Sequence, residues 1–149
     1  MDDGYNLRRF LDAQESVIDT VIAELAAGRK RSHWMWFVFP QIRGLGHSPT
    51  AQYYGIGSLA EARAYLDHPV LGERLRSFTK IVLDSNGPNA ETIFGYPDYL
   101  KFRSSITLFE LAEMRDGIEL QNCIFSRALE RYYRSVRDPE TLRLIGEGA

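Results

Sequence analysis

The stretch GRKRSHWMWFVFPQIRGLGHS, residues 28–48, decides the fold, because its apolar centre is where helix and buried strand compete. Trp34 to Phe39 is an unbroken run of six apolar residues, so it carries no period that separates the two. Pro40 ends any helix through it. Its neighbours all show helical spacing, so a short helix starting after Ser32 is expected. Beyond it, glycines, Ser48 and Pro49 predict a mostly irregular loop from 41 to 57.

Upstream, Leu7, Phe10, Leu11, Val17, Ile18, Val21, Ile22 and Leu25 recur at helical spacing, with Gly28 as the stop. Gln14 falls inside that apolar arc. A buried amide needs partners, so it either ties a neighbouring loop, the preferred reading, or faces a cavity. Downstream, Ser58 and Glu61 form a capping-box pattern for a helix through Leu66. Asp67-His68-Pro69 starts the next helix, which Ser85-Asn86-Gly87-Pro88 ends. Asn89 caps a short turn ending at Gly95. Two further helices are expected at 97–114 and 118–133, and Asp138-Pro139 starts a last one. The expectation is an all-α, single domain over residues 1–149 with about six or seven helices.

The totals narrow the class. A chain of 149 residues buries about two-thirds of its extended surface, enough for a core without disulfide or metal. The net charge of −2 argues against a surface built for nucleic acid. The single cysteine, Cys123, rules out an internal disulfide and a cysteine zinc cage; it is read as inert packing. An acidic opening without an apolar core is no secretory signal, and six apolar residues are far short of a membrane span. A cytoplasmic protein is expected, with no membrane partner and no cofactor.

Chemistry concentrates in two segments. In the first, Arg29, Lys30 and Arg31 either complement the end of the first helix or act with Arg43 as an anion clamp. Ser32 and the amides after it would add donors. Trp34 and Trp36 suit a core, and one of them suits a pocket floor, with Gln41 and His47 in the loop beyond. His33 is the better acid/base candidate among the three histidines, and His68 is a turn or cap residue. No paired-ligand spacing for a metal exists. In the second segment, a helix starting near Pro97 puts Arg103, Thr107, Glu110 and Glu113 on its wet face. Asp98, Lys101, Ser104 and Ser105 fall instead on the core side, where Asp98 can pair with Lys101. That group is either a buried network or a polar pocket floor, and Lys101 is the second candidate for a catalytic role.

Several motifs resemble a bacterial family. They are G-R-K-x-S-H-W-M-W-F-x-F-P-Q (Gly28 to Gln41), G-L-G-x-S (Gly44 to Ser48) and A-Y-L-x-H-P-V-L-G-x-R-L (Ala64 to Leu75). I-F-G-x-P-D-x-x-K-x-x-S-S-x-T-L-F (Ile93 to Phe109) and D-P-x-T-L (Asp138 to Leu142) complete the set. The family is domain of unknown function 1810, sometimes given the label calpastatin. That label carries no weight: the inhibitor is disordered, and this chain has the composition of a packed protein. The resemblance implies a small, mainly helical cytosolic domain and brings no activity.

Two functional classes follow. The first is a pocket for an anionic small molecule of nucleotide or sugar-phosphate type, possible for an enzyme or a binder alike. Its contacts would be Arg29, Lys30, Ser32, Trp34, Trp36, Gln41, Arg43, His47, Asp98, Ser104 and Ser105, with His33 and Lys101 as catalytic groups. The second is a non-enzymatic domain whose basic-aromatic segment 29–43 docks a partner protein. RNA binding ranks behind both because of the acidic charge.

Overall fold

The short helix in the aromatic run is present, and so is the all-α class. The computed structural model describes residues 4–114 and 123–148, and these form ten helices. They are α1 (Arg8–Glu15), α2 (Ile18–Ala26), α3 (Met35–Val38), α4 (Pro49–Tyr54), α5 (Leu59–Asp67), α6 (Leu71–Asp84), α7 (Ala90–Phe94), α8 (Asp98–Glu113), α9 (Ile124–Tyr133) and α10 (Pro139–Gly148). The described residues contain no strand; their one β-type pairing is an isolated parallel bridge between Ile42 and Ile56. None of these helices is long and apolar enough to cross a membrane.

Ten helices exceed the six or seven expected, and two local events account for much of the difference. The first expected helix breaks at Val17, whose backbone leaves the helical region (φ −121°, ψ −1°). The break rotates α2 relative to α1. Leu7 and Phe10 from one side and Val21 and Leu25 from the other then reach one core, while Ile22 is left 41% exposed. Gln14, at the break, is a structural tie, but to helices α3, α5 and α6 rather than to a loop. It donates to the Phe37 carbonyl (2.8 Å) and Tyr65 hydroxyl (3.1 Å) and accepts from Arg74 (3.2 Å).

The second event corrects the irregular loop at 41–57. Ser48 accepts from the Ala51 amide at 3.1 Å and Pro49 takes the first helical position, so α4 forms inside it. The Ile42–Ile56 bridge closes its base: Arg43 N donates to Ile56 O (2.7 Å) and Ile56 N to Gln41 O (2.8 Å). The expected start of the ninth helix at Ile118 lies outside the described residues.

The remaining caps follow the expected signals. Ser58 caps α5 through the Glu61 amide, and Asn89 caps α7 through Thr92 N. His68 Nδ1 accepts from the amides of Val70 and Leu71 at the start of α6. Gly72 is required where α6 leaves α5, because a Cβ there would lie 2.0 Å from the Leu66 carbonyl oxygen.

Helix α8 is the central element, packed against α5, α7, α9 and α10. Its expected wet face is therefore covered: Thr107 and Glu110 are buried under α9 and α10. Asp138, which caps α10, draws Thr107 in through its own amide and accepts from Ser104. On the opposite side Phe102 stacks on Phe94 (centroids 4.5 Å, 27° between planes) and meets Phe39 edge-on at 5.0 Å. This aromatic contact joins the 34–41 run to the start of α8.

Candidate functional site

Segments 28–36 and 98–101 meet in space. After α2, Gly28 turns with φ +72° and the Lys30 amide donates to the Ile93 carbonyl at 2.6 Å. That bond lays the basic loop against the α7–α8 junction. Lys30 Nζ then lies 2.7 Å from Asp98 Oδ2, with its side chain only 7% exposed, and also donates to Ser32 O at 2.5 Å. Asp98 is the first residue of α8, where the helix dipole favours a carboxylate. One turn on, Lys101 Nζ approaches Asp98 Oδ1 at 3.2 Å and sits 4.0 Å from the centre of the Trp36 ring. Two ammonium groups thus share one carboxylate, and the half-exposed one also uses an aromatic face.

The loop is held by a residue that the sequence reading missed. Glu24 Oε1 accepts from the amides of Arg31 (2.8 Å) and Ser32 (3.0 Å) and from Trp34 Nε1 (2.9 Å). Its Oε2 accepts from the Ser32 hydroxyl at 2.6 Å. The donors expected to grip a ligand anion are therefore filled by the protein's own carboxylate. Partial burial works to raise the Glu24 pKa, but these four bonds outweigh it and hold the carboxyl down at about 2. A signal existed: an acidic residue in the last turn of a helix opposes the dipole and so asks for donors beyond the helix end.

A pH dependence follows. With its folded pKa below the ordinary 4.5, Glu24 contributes stability above that value and loses it as pH falls toward about 2. Glu24→Ala is expected to cost about 1–2 kcal/mol at neutral pH, at the low end for charged hydrogen bonds because the carboxylate meets solvent. Urea titrations across pH check this. The gap between wild type and variant should narrow below pH 4.5, and a gap that stays constant with pH would contradict the assignment.

The other candidate residues distribute unevenly. Trp34 is fully buried, its ring centre 5.1 Å from Lys30 Nζ, so of the two only Trp36, half-buried, offers an accessible face beside the lysines. The far edge of Trp36 closes on the glycine loop: a Cβ on Gly46 would lie 3.3 Å from the ring. Gln41 is buried there, lining with Trp36 a cavity of about 10 Å³, the size that holds one water. Arg43 turns away, donating to the carbonyls of Gln52 (3.3 Å) and Gly55 (2.9 Å). His47 is exposed and meets Gln52 through its carbonyl.

Arg29, Arg31 and His33 are exposed on the loop, and His33 has no side-chain hydrogen bond among the described residues. Ser104 does not join Lys101; its hydroxyl goes to the Leu100 carbonyl (3.1 Å) and Asp138 (3.0 Å). Ser105 is fully buried, its hydroxyl without a partner among the described residues. Among those residues no three His, Cys, Asp or Glu side chains gather as a metal site requires. The converging set is therefore Lys30, Asp98, Lys101 and Trp36, with Glu24 behind it.

Residues 4–145 match the family described as protein of unknown function (DUF1810). The chain belongs to this family. Its fold is also that of a solved family-sized structure, the conserved hypothetical protein Rv1873 from Mycobacterium tuberculosis. The two are 49% identical with a TM-score of 0.89, over 97% of this chain and 99% of that one. No curated protein matches the chain. The segment Gly28 to Gln41, within the matched residues, supplies the loop, both tryptophans and one of the two lysines of the cluster.

Proposed function

We propose that the Lys30–Asp98–Lys101 cluster, floored by Trp36, binds an anionic small molecule of nucleotide or sugar-phosphate type in the cytoplasm. The observation that carries this reading is the charge balance: two ammonium groups converge on a single carboxylate, leaving one positive charge over an aromatic face. Exposed Arg29 and Arg31 on the same loop add to the local potential. A phosphate or carboxylate would take the Lys101 ammonium, and a planar ring would lie along Trp36. The reading is first one of binding, because among the described residues His33 has no hydrogen-bonded group to orient it as an acid/base.

The partner-protein alternative has less to work with. Trp34, Met35, Val38 and Phe39 are buried, so segment 29–43 offers a partner mainly its arginines rather than aromatic anchors.

A thermal-shift series with nucleotides, sugar phosphates and dicarboxylates tests the proposal. A ligand at about a hundred times its dissociation constant adds about 2.7 kcal/mol. In a chain of this length that raises Tm by about 5–10 °C. Lys101→Met, which keeps an apolar stem over Trp36, should abolish the shift. Lys80→Met, on the exposed face of α6, should leave it intact. A flat series, or a shift indifferent to Lys101→Met, refutes the reading and favours a partner protein, to be sought by pull-down.

A further inference from the structure

A second, independent feature lies at the other end of α8, where α8, α9 and α10 enclose a groove of about 440 Å³. That is within the range of small-molecule pockets, about 300–1,000 Å³. Its floor is Glu110, whose side chain is 7% exposed. Glu110 Oε2 accepts from Ser126 Oγ at 2.5 Å, and Oε1 accepts from Arg137 Nε at 2.5 Å. Among the described residues this Nε bond is the one Arg137 makes to a carboxylate. Its Nη2 faces the Met114 thioether at 3.6 Å, a weak acceptor, so the end of the guanidinium retains donor capacity. Glu130 lines the same groove, exposed and without an ion pair among the described residues. Leu129 and Leu142 supply apolar wall, the latter 40% exposed.

The groove therefore offers a guanidinium end, an unpaired carboxylate and an apolar wall. An anion alone would meet Glu130, and a cation alone would meet Arg137. A ligand carrying both charges on a short frame avoids both conflicts. We propose that this groove binds a free α-amino acid with an aliphatic side chain. Its carboxylate faces Arg137, its ammonium Glu130, and its side chain Leu129 and Leu142. The pairing is specific because a carboxylate alone meets Glu130, and an ammonium alone leaves the end donors of Arg137 unfilled.

The test titrates the full chain with L-leucine, followed by backbone amide NMR. Saturable shifts are expected at residues 126–130 and 137–142. Isovalerate and isoamylamine, each with one of the two charges, should bind about tenfold or more weakly. Glu130→Gln, an exposed change that leaves the fold intact, should weaken leucine by a similar factor and not weaken isovalerate. Absence of saturable shifts in the groove overturns the proposal. So does equal affinity for isovalerate and leucine, or a Glu130→Gln variant that binds leucine as wild type does.

Discussion

Glu61→Ala should lower stability by about 3–5 kcal/mol, the range for breaking a buried ion pair from one side. For this chain length that is a Tm drop on the order of 10 °C. Glu61 Oε2 lies 2.7 Å from Arg9 Nη2, and the two side chains are 6% and 4% exposed. Arg9 also donates to the carbonyls of Tyr5, Asn6, Tyr53 and Gly55. It therefore ties the start of α1 to the end of α4, while Glu61 ties α5 to the Gly57 amide at 3.0 Å. Removing the carboxylate leaves a cation with only carbonyl dipoles and the Phe10 ring face near it among the described residues, in a buried site.

The size of the loss comes from that stranded charge rather than from the pair's net value. Arg9→Met with Glu61→Leu should accordingly cost less than the sum of the two single changes. Some loss remains, because four carbonyls lose the Arg9 side chain, although Gly55 keeps Arg43 and Asn6 keeps the residue 9 amide. Denaturant melts of the four proteins give the coupling. A Glu61→Ala cost below about 1 kcal/mol would place the pair among exposed ones and refute the account.

Phe102→Ala should cost a comparable amount, about 3–5 kcal/mol. Phe102 is fully buried at the crossing of three elements, in contact with Phe94, Phe39, Tyr132 and Tyr133. Truncation removes transfer energy, opens a cavity and cancels aromatic pairings each of about 0.5–1.5 kcal/mol. Phe102→Leu refills part of the space and should lose distinctly less. Denaturant midpoints should fall with an unchanged slope, since the same surface is exposed on unfolding. A Phe102→Ala midpoint close to wild type would mean that the core around α8 collapses freely to fill the gap.

The local features of this fold were readable because their causes lie within a few residues. The caps at Ser58 and Asn89, the stop at Gly28 and the i,i+3 pairing of Asp98 with Lys101 each involve near neighbours in the chain. Helix α4 was equally local: Ser48 followed by Pro49 is a start signal, outweighed in the sequence reading by the surrounding glycines. The assignment of the wet face of α8 failed for a different reason. Thr107 and Glu110 are polar, but Asp138 and Arg137 arrive from the distant end of the chain to bond them, and α9 and α10 cover them.

At the candidate site the split is the same. Residue types alone marked the basic loop, the tryptophans and Lys101. Which of them converge was decided by the Lys30–Ile93 bond and the Phe39–Phe102 contact, which bring the loop and α8 together. Tertiary packing also turned Arg43 and Ser104 toward other partners and placed Glu24 in the anion nest.

By itself, then, the sequence determined the helical class, most helix starts and stops, and the two segments that carry charge beside aromatic rings. Tertiary structure alone decided the break at Val17, the burial of Thr107 and Glu110 on α8, and the pairing of Lys30 and Lys101 on Asp98. Helical period and capping are short-range, set by backbone hydrogen bonds a turn apart. The fate of a polar side chain is set by whichever partner packing delivers, because a buried donor or acceptor is stable only when that partner arrives.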